Sequence, residues 1–230
     1  MLGVLVWHEE RNVVLERTDL LGMPVLRVSV SPDGRWAARR LGRAGRLLAR
    51  QRVRRVLVPD GFDSWRELDR WGLCPVDPLP LYRAMADRMV LAELARSGVE
   101  NERACVALRG DYVDADLERT ARLLCPKVRT LIIQAAWGGE RLTLELYRTF
   151  GAAPRREVPP DAAVRFSGAG QPEELVLCGR PNLLGLEPEA AGAALPEGAE
   201  PIPLLTALWQ AGRLSLEEIR LNDANFLDMR

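Results

Sequence analysis

Four stretches of this 230-residue chain hold the residues whose types and spacing could do chemistry. The first runs from Leu108 to Asp116 and contains Arg109, Gly110, Asp111, Asp114 and Asp116. Its three carboxylates are the oxygen ligands that Mg²⁺ or Ca²⁺ takes. At the start of a helix the same residues are caps and dipole partners, and no metal is assigned to them. The second is Gly138-Gly139-Glu140. Its backbone N–H groups can cradle a small anion at a helix start, or simply form a tight turn. The third is Gly179-Arg180-Pro181-Asn182, a ligand-contacting loop or a solvated turn. The fourth is a helical row of arginines: Arg35, Arg39, Arg43, Arg46 and Arg50, set opposite Ala37, Leu41, Ala44 and Leu48.

From Ser31 to Val58 there are nine arginines and one acid, Asp33, whereas from Glu157 to Arg230 there are twelve acids and five arginines. The arginine face either binds phosphates, on nucleic acid or on an anionic ligand, or is solvated or paired with the acidic C-terminal third. Trp36 alone stands among these arginines as a stacking residue, which gives single-strand recognition little support.

Other chemistries are removed by what is scarce. Lys127 is the only lysine, flanked by Pro126 and Val128, so no Walker A loop exists. His8 is the only histidine, which excludes two-histidine zinc motifs and leaves one histidine base, beside Glu9 and Glu10 and without an identifiable nucleophile. Cys74, Cys105, Cys125 and Cys178 are scattered without a Cys-x-x-Cys pair. The formal net charge is zero, so the whole chain is no obvious polyanion binder. Met1–Trp7 is too short for a leader's apolar region and lacks a basic flank, and no apolar run nears the ~20 residues of a membrane helix, so no secretory leader and a cytoplasmic, reduced protein are expected.

The elements that must position these residues follow from periodicity. Ala104–Leu108 and Val128–Gln134 are short apolar strands. Each is followed by a helix, Asp114–Cys125 with Leu117, Ala121 and Leu124 on one face, then Glu140–Phe150 with Leu142, Leu146 and Phe150. That is a βαβα unit with parallel strands. Upstream, Gly3–Trp7 and Val13–Arg17 read as a hairpin around His8–Asn12, and Val25–Val30 as a third strand. Arg35–Arg50 is a helix weakened by Gly42 and Gly45, Val53–Val58 a strand, Phe62–Trp71 a short helix, and Leu79–Ser97 a long helix ended by Gly98. Downstream, Ala162–Phe166 and Glu174–Cys178 are strands, 185–203 a surface loop, and Leu204–Ala211 and Leu216–Ile219 helical turns. The expected fold is α/β: an open, mostly parallel Rossmann-like sheet with helices on both faces, preceded by a smaller α/β segment. The expected domains are 1–78 with the basic helix, 79–182 as the core with its leading helix, and 183–230.

The succession from the long helix through Phe150-Gly151 to Asp161-Ala162-Ala163-Val164 resembles the C-terminal nicotinamide-binding domain of the shikimate dehydrogenase type. It implies NAD or NADP as cofactor and a ligand beyond the carboxyl ends of the strands. The signature residues depart from that family. Only Gly110 stands in the first loop, the three aspartates would repel a diphosphate there, Gln134-Ala135-Ala136-Trp137 offers no clear ribose ligand, and the catalytic lysine has no counterpart. The first expectation is therefore a non-catalytic binding or regulatory protein on a degenerate Rossmann-like scaffold, with a protein partner or a second copy of itself. The second is an NAD(P)-linked oxidoreductase relative with an altered phosphate loop. The third is nucleic-acid binding through the arginine helix.

Overall fold

The computed structural model describes residues 1–9, 12–151, 159–191, 195 and 198–223. The fold is mixed α/β, with helices and strands interleaved and two sheets that are wholly or largely parallel. The chain divides into two compact units, 1–78 with 189–220 and 79–188 with the segment from 221.

In the first unit the strands are β1 (Leu2–Trp7), β2 (Val14–Leu20), β3 (Met23–Val30), β4 (Arg55–Leu57) and β5 (Cys74–Pro75), in the order β2-β3-β1-β4-β5. Helix α1 (Ala37–Arg50) links β3 to β4, and α2 (Trp65–Asp69) precedes β5. The expected β1–β2 hairpin does not form. β1 lies parallel between β3 and β4, and β2 pairs antiparallel with β3. The turn chemistry explains the exchange. Leu21 and Gly22 both have positive φ, 50° and 78°, as a two-residue hairpin turn requires, and Gly22 N–H donates to Asp19 Oδ1 at 2.6 Å.

Alternation along the strands sends side chains to two cores. Leu5, Leu26, Val28 and Val56 pack with Leu41, Ala44 and Leu48 of α1. Val4, Val25 and Leu57 pack on the other face with Leu204, Ala207 and Leu208 of a helix from far downstream, Pro201–Gln210.

Of the two glycines of α1, Gly45 has a packing reason and Gly42 does not. A Cβ at Gly45 would lie 2.6 Å from Trp71 Cδ1, whereas one at Gly42 would come no nearer than 4.0 Å to Trp71 Nε1. Gly42→Ala is therefore expected to stabilise by about 0.5–1 kcal/mol through helix propensity. Gly45→Ala is expected to destabilise by about 1–2 kcal/mol because the indole must move. Urea denaturation of the two variants checks this opposition of sign.

In the second unit a short helix α3 (Leu79–Ala84) leads into α4 (Ala86–Arg96). The single long helix expected over 79–97 is thus interrupted at Met85, although Met85 N–H still reaches Leu81 O and Tyr82 O. Then come β6 (Cys105–Tyr112), α5 (Ala115–Leu124), β7 (Thr130–Trp137), α6 (Gly139–Phe150), β8 (Ala162–Arg165) and β9 (Leu175–Val176). The sheet is parallel throughout, in the order β7-β6-β8-β9, a layout compatible with a Rossmann-like core. α4 packs on β8 and α5, while α5 and α6 both contact β7.

Downstream, β10 (Leu186–Ala190) and β11 (Ile219–Asp223), which precede and follow α7 (Pro201–Gln210) along the chain, pair as a two-stranded sheet. A strand therefore occupies part of the loop expected at 185–203, and Leu216–Glu218 is one 3-10 turn leading into β11 rather than a longer helical turn.

Candidate functional site

The chain leaves β6 towards β7 on one side and later reaches β8 on the other. The boundary between β6 and β8 is where the strand order reverses, the place where open α/β sheets hold ligands. The sequence-predicted residues Arg109, Gly110, Asp111 and Asp114 are brought together there.

No tight glycine turn follows β6. The strand keeps pairing with β7 as far as Tyr112 opposite Trp137, and Val113 N–H adds a bond to Trp137 O at 2.9 Å. Asp114 then caps α5, its Oδ1 accepting from Leu117 N–H at 2.8 Å. The positive end of the helix is thus met by the protein's own carboxylate. Arg83, from α3, reaches the same point. It donates to Asp114 Oδ2 at 3.0 Å, to Asp116 Oδ2 at 3.5 Å, to Leu177 O at 2.9 Å and to Phe166 O.

A second charge knot lies beside it. Glu174 is buried, with 2% of its side chain exposed. It accepts from Arg109 and, at 2.8 Å, from Arg165 Nε. Arg109 Nε also donates to Gln134 Oε1 at 2.7 Å. Burial pushes the Glu174 carboxyl up, but the hydrogen bonds from Arg165, Arg109 and the Gln171 N–H outweigh it and hold the group below the usual carboxylate range. The Arg165 guanidinium is raised in turn, chiefly by its bond to Glu174. Asp111 N–H donates to Ser167 Oγ at 2.6 Å, closing the loop after β8 onto the end of β6.

Cys178 is the one thiol near these groups. Burial pushes its pKa up, and Arg83 and Arg165 only partly offset that, so the thiol stays protonated and is a poor nucleophile at neutral pH. Among the described residues no group of three or more His, Cys, Asp or Glu is placed to hold a metal ion.

The remaining predicted residues have other surroundings. Gly138 has φ 81° and sits against Val113, where a Cβ would come within 3.3 Å. Gly139 is buried, and its carbonyl accepts from Thr143 Oγ1 at 2.8 Å. Asn182 holds the β8–β9 connection, donating to Pro172 O and Glu174 O while its Oδ1 accepts from Leu184 N–H. Arg180 is exposed. Arg83, Arg165, Ser167 and Glu174 are additions to the sequence reading. Their only sequence signal is a polar residue beside an apolar run, which does not reveal the partner.

In the first unit, Arg35, Arg39, Arg43, Arg46 and Arg50 are all exposed. Arg40 instead turns inward to Ser31 O and Asp33 O. A groove of about 530 Å³ runs along this face, lined by Val13, Trp36, Arg39, Arg40, Gly42, Arg43, Arg46 and Trp71. Trp71 was missed from sequence because it lies far from the arginines along the chain and is brought to them by α2.

No protein-family model matches this chain, and no curated protein matches it in sequence.

Proposed function

We propose that this protein is a non-catalytic binding or regulatory protein whose C-terminal unit keeps a Rossmann-like layout without a dinucleotide site. The observation that carries the reading is the state of the α5 N-terminus. The position a diphosphate would take is filled by the Asp114 carboxylate, itself bonded to Leu117 N–H and Arg83. A bound dinucleotide would have to displace that cap and bring its own negative charge beside Asp111 and Asp116. Arg83 is engaged with Asp114, and Arg109 and Arg165 with Glu174, so these charged groups at the end of the sheet are held by one another.

The alternative, an NAD(P)-linked oxidoreductase similar in layout to the shikimate dehydrogenase type, draws support from the parallel order β7-β6-β8-β9. Thermal-shift measurements with NAD and NADP separate the two. A ligand at 100 times its Kd stabilises by about 2.7 kcal/mol, roughly 5–10 °C in Tm for a chain of this size. No rise is expected with either dinucleotide. A rise with one of them would replace the binding-protein reading with the oxidoreductase.

A further inference from the structure

We propose that the groove along α1 binds single-stranded nucleic acid. This inference does not depend on the reading of the C-terminal unit, since every residue it uses belongs to the first unit.

The lining joins two chemistries. Arg39, Arg43 and Arg46 supply positive charge, and no acidic residue lines the groove. Trp36 and Trp71 supply aromatic surface, and they are 49% and 41% exposed. Either alone has a plain explanation. A row of arginines is a common solvated face, and scattered surface aromatics are normal. Their combination in one concave surface is what a strand of nucleotides requires, because phosphates seek guanidinium groups while unpaired bases seek flat rings.

The local geometry sustains the combination. Arg35 and Arg39 lie over the Trp36 ring at 5.1 and 5.6 Å from its centroid, fixing that indole beside the basic row. The missing Cβ at Gly45 lets the Trp71 indole lie directly against α1. Arg39, Arg43 and Arg46 are exposed, so their guanidinium groups can be reached from solvent. Successive arginines at 39, 43, 46 and 50 climb the helix in steps of roughly 4.5–6 Å, a spacing that the phosphates of an extended strand can follow.

A single strand fits better than a duplex. In a duplex the bases are already stacked and offer no face to the two indoles. It also fits better than an acidic peptide, whose carboxylates would pair with the arginines and leave both rings unused.

The test uses the full-length protein and fluorescein-labelled, mixed-sequence single-stranded DNA, read by anisotropy and by tryptophan quenching. Binding is expected at low salt. The logarithm of affinity should fall with the logarithm of salt at a slope of about −2 to −3, as for three or four phosphates on a single strand. Trp36→Ala should weaken binding about tenfold, the loss of one stacked base. Arg43→Glu should weaken it further and flatten the salt slope. Trp71→Phe keeps a ring against α1 and should retain most of the affinity, with circular dichroism verifying that each variant is folded. Absence of binding at low salt overturns the proposal. So does equal affinity for the duplex of the same sequence. Equal affinity for heparin with Trp36→Ala unchanged also overturns it, since the groove would then be a basic surface without base recognition.

Discussion

Glu174→Leu is expected to cost about 3–5 kcal/mol of stability, the characteristic loss when one member of a buried charge cluster is removed. Its carboxylate is 2% exposed, between Arg109 and Arg165, whose side chains are about 20% and 19% exposed. Without it the two guanidinium groups face each other in a partly dehydrated site, and the Gln171 N–H loses its acceptor. Glu174→Gln keeps the shape and one acceptor oxygen, so its loss should be smaller. Urea denaturation followed by circular dichroism measures both.

The same residue sets a pH signature. Its folded pKa lies below the ordinary value, so its contribution is fully present above the unfolded pKa of about 4.3. The contribution is lost as pH falls through the lower, folded value. Stability should therefore drop on acidification below about pH 4, and the drop should be shallower in Glu174→Leu. A variant as stable as the parent at pH 7 would show that the cluster contributes nothing.

Arg83→Met should be nearly as damaging, at about 2–4 kcal/mol. One guanidinium there satisfies two carbonyls, Leu177 O and Phe166 O, and two carboxylates, Asp114 and Asp116. Methionine fills a similar volume but leaves all four acceptors without this donor. The cap on α5 should also loosen, because Asp114 would lose the cation behind it. Amide hydrogen exchange at Leu117 should accelerate in Arg83→Met, while the exposed control Arg180→Ala should change stability by less than about 0.5 kcal/mol. Unchanged exchange at Leu117 would uncouple Arg83 from the cap. The variant also bears on the proposed function: with Arg83 gone, Asp114 and Asp116 lose their cation, so NAD and NADP should still fail to bind, and a gain of binding would overturn negative charge as the barrier.

The local elements were legible wherever their cause is local. Leu117, Ala121 and Leu124 mark the buried face of α5, and all three are buried. Asp114 reads as a cap from its type and position. The alternating apolar pattern of Val25–Val30 likewise gives the strand. The pairing of strands was not legible, because Gly3–Trp7 and Val13–Arg17 look equally suited to each other. The preference for β2 with β3 rests on the backbone of Leu21 and Gly22, which apolar periodicity does not encode.

The site was legible only in part for the same reason. Arg109, Gly110, Asp111 and Asp114 lie on one continuous stretch. Their partners Arg83, Ser167 and Glu174 come from elsewhere in the sequence and are joined to it only by the sheet. Arginine is so frequent here that no single one stands out. Trp71 carries no mark of its role, and its only hint was Gly45 inside α1, which helix propensity alone would disfavour.

The return of α7 to the first sheet has a consequence for synthesis. On the ribosome, Val4, Val25 and Leu57 emerge well before Leu204, Ala207 and Leu208, the side chains that shield them. At about 5–20 residues per second that interval is on the order of ten seconds, long compared with the collapse of a small domain. Residues 79–188, the greater part of the second unit, emerge in between as one continuous segment, whereas the N-terminal sheet must wait with one greasy side bare. A nascent chain stalled before Pro201 should therefore be a better client for a chaperone than the finished protein.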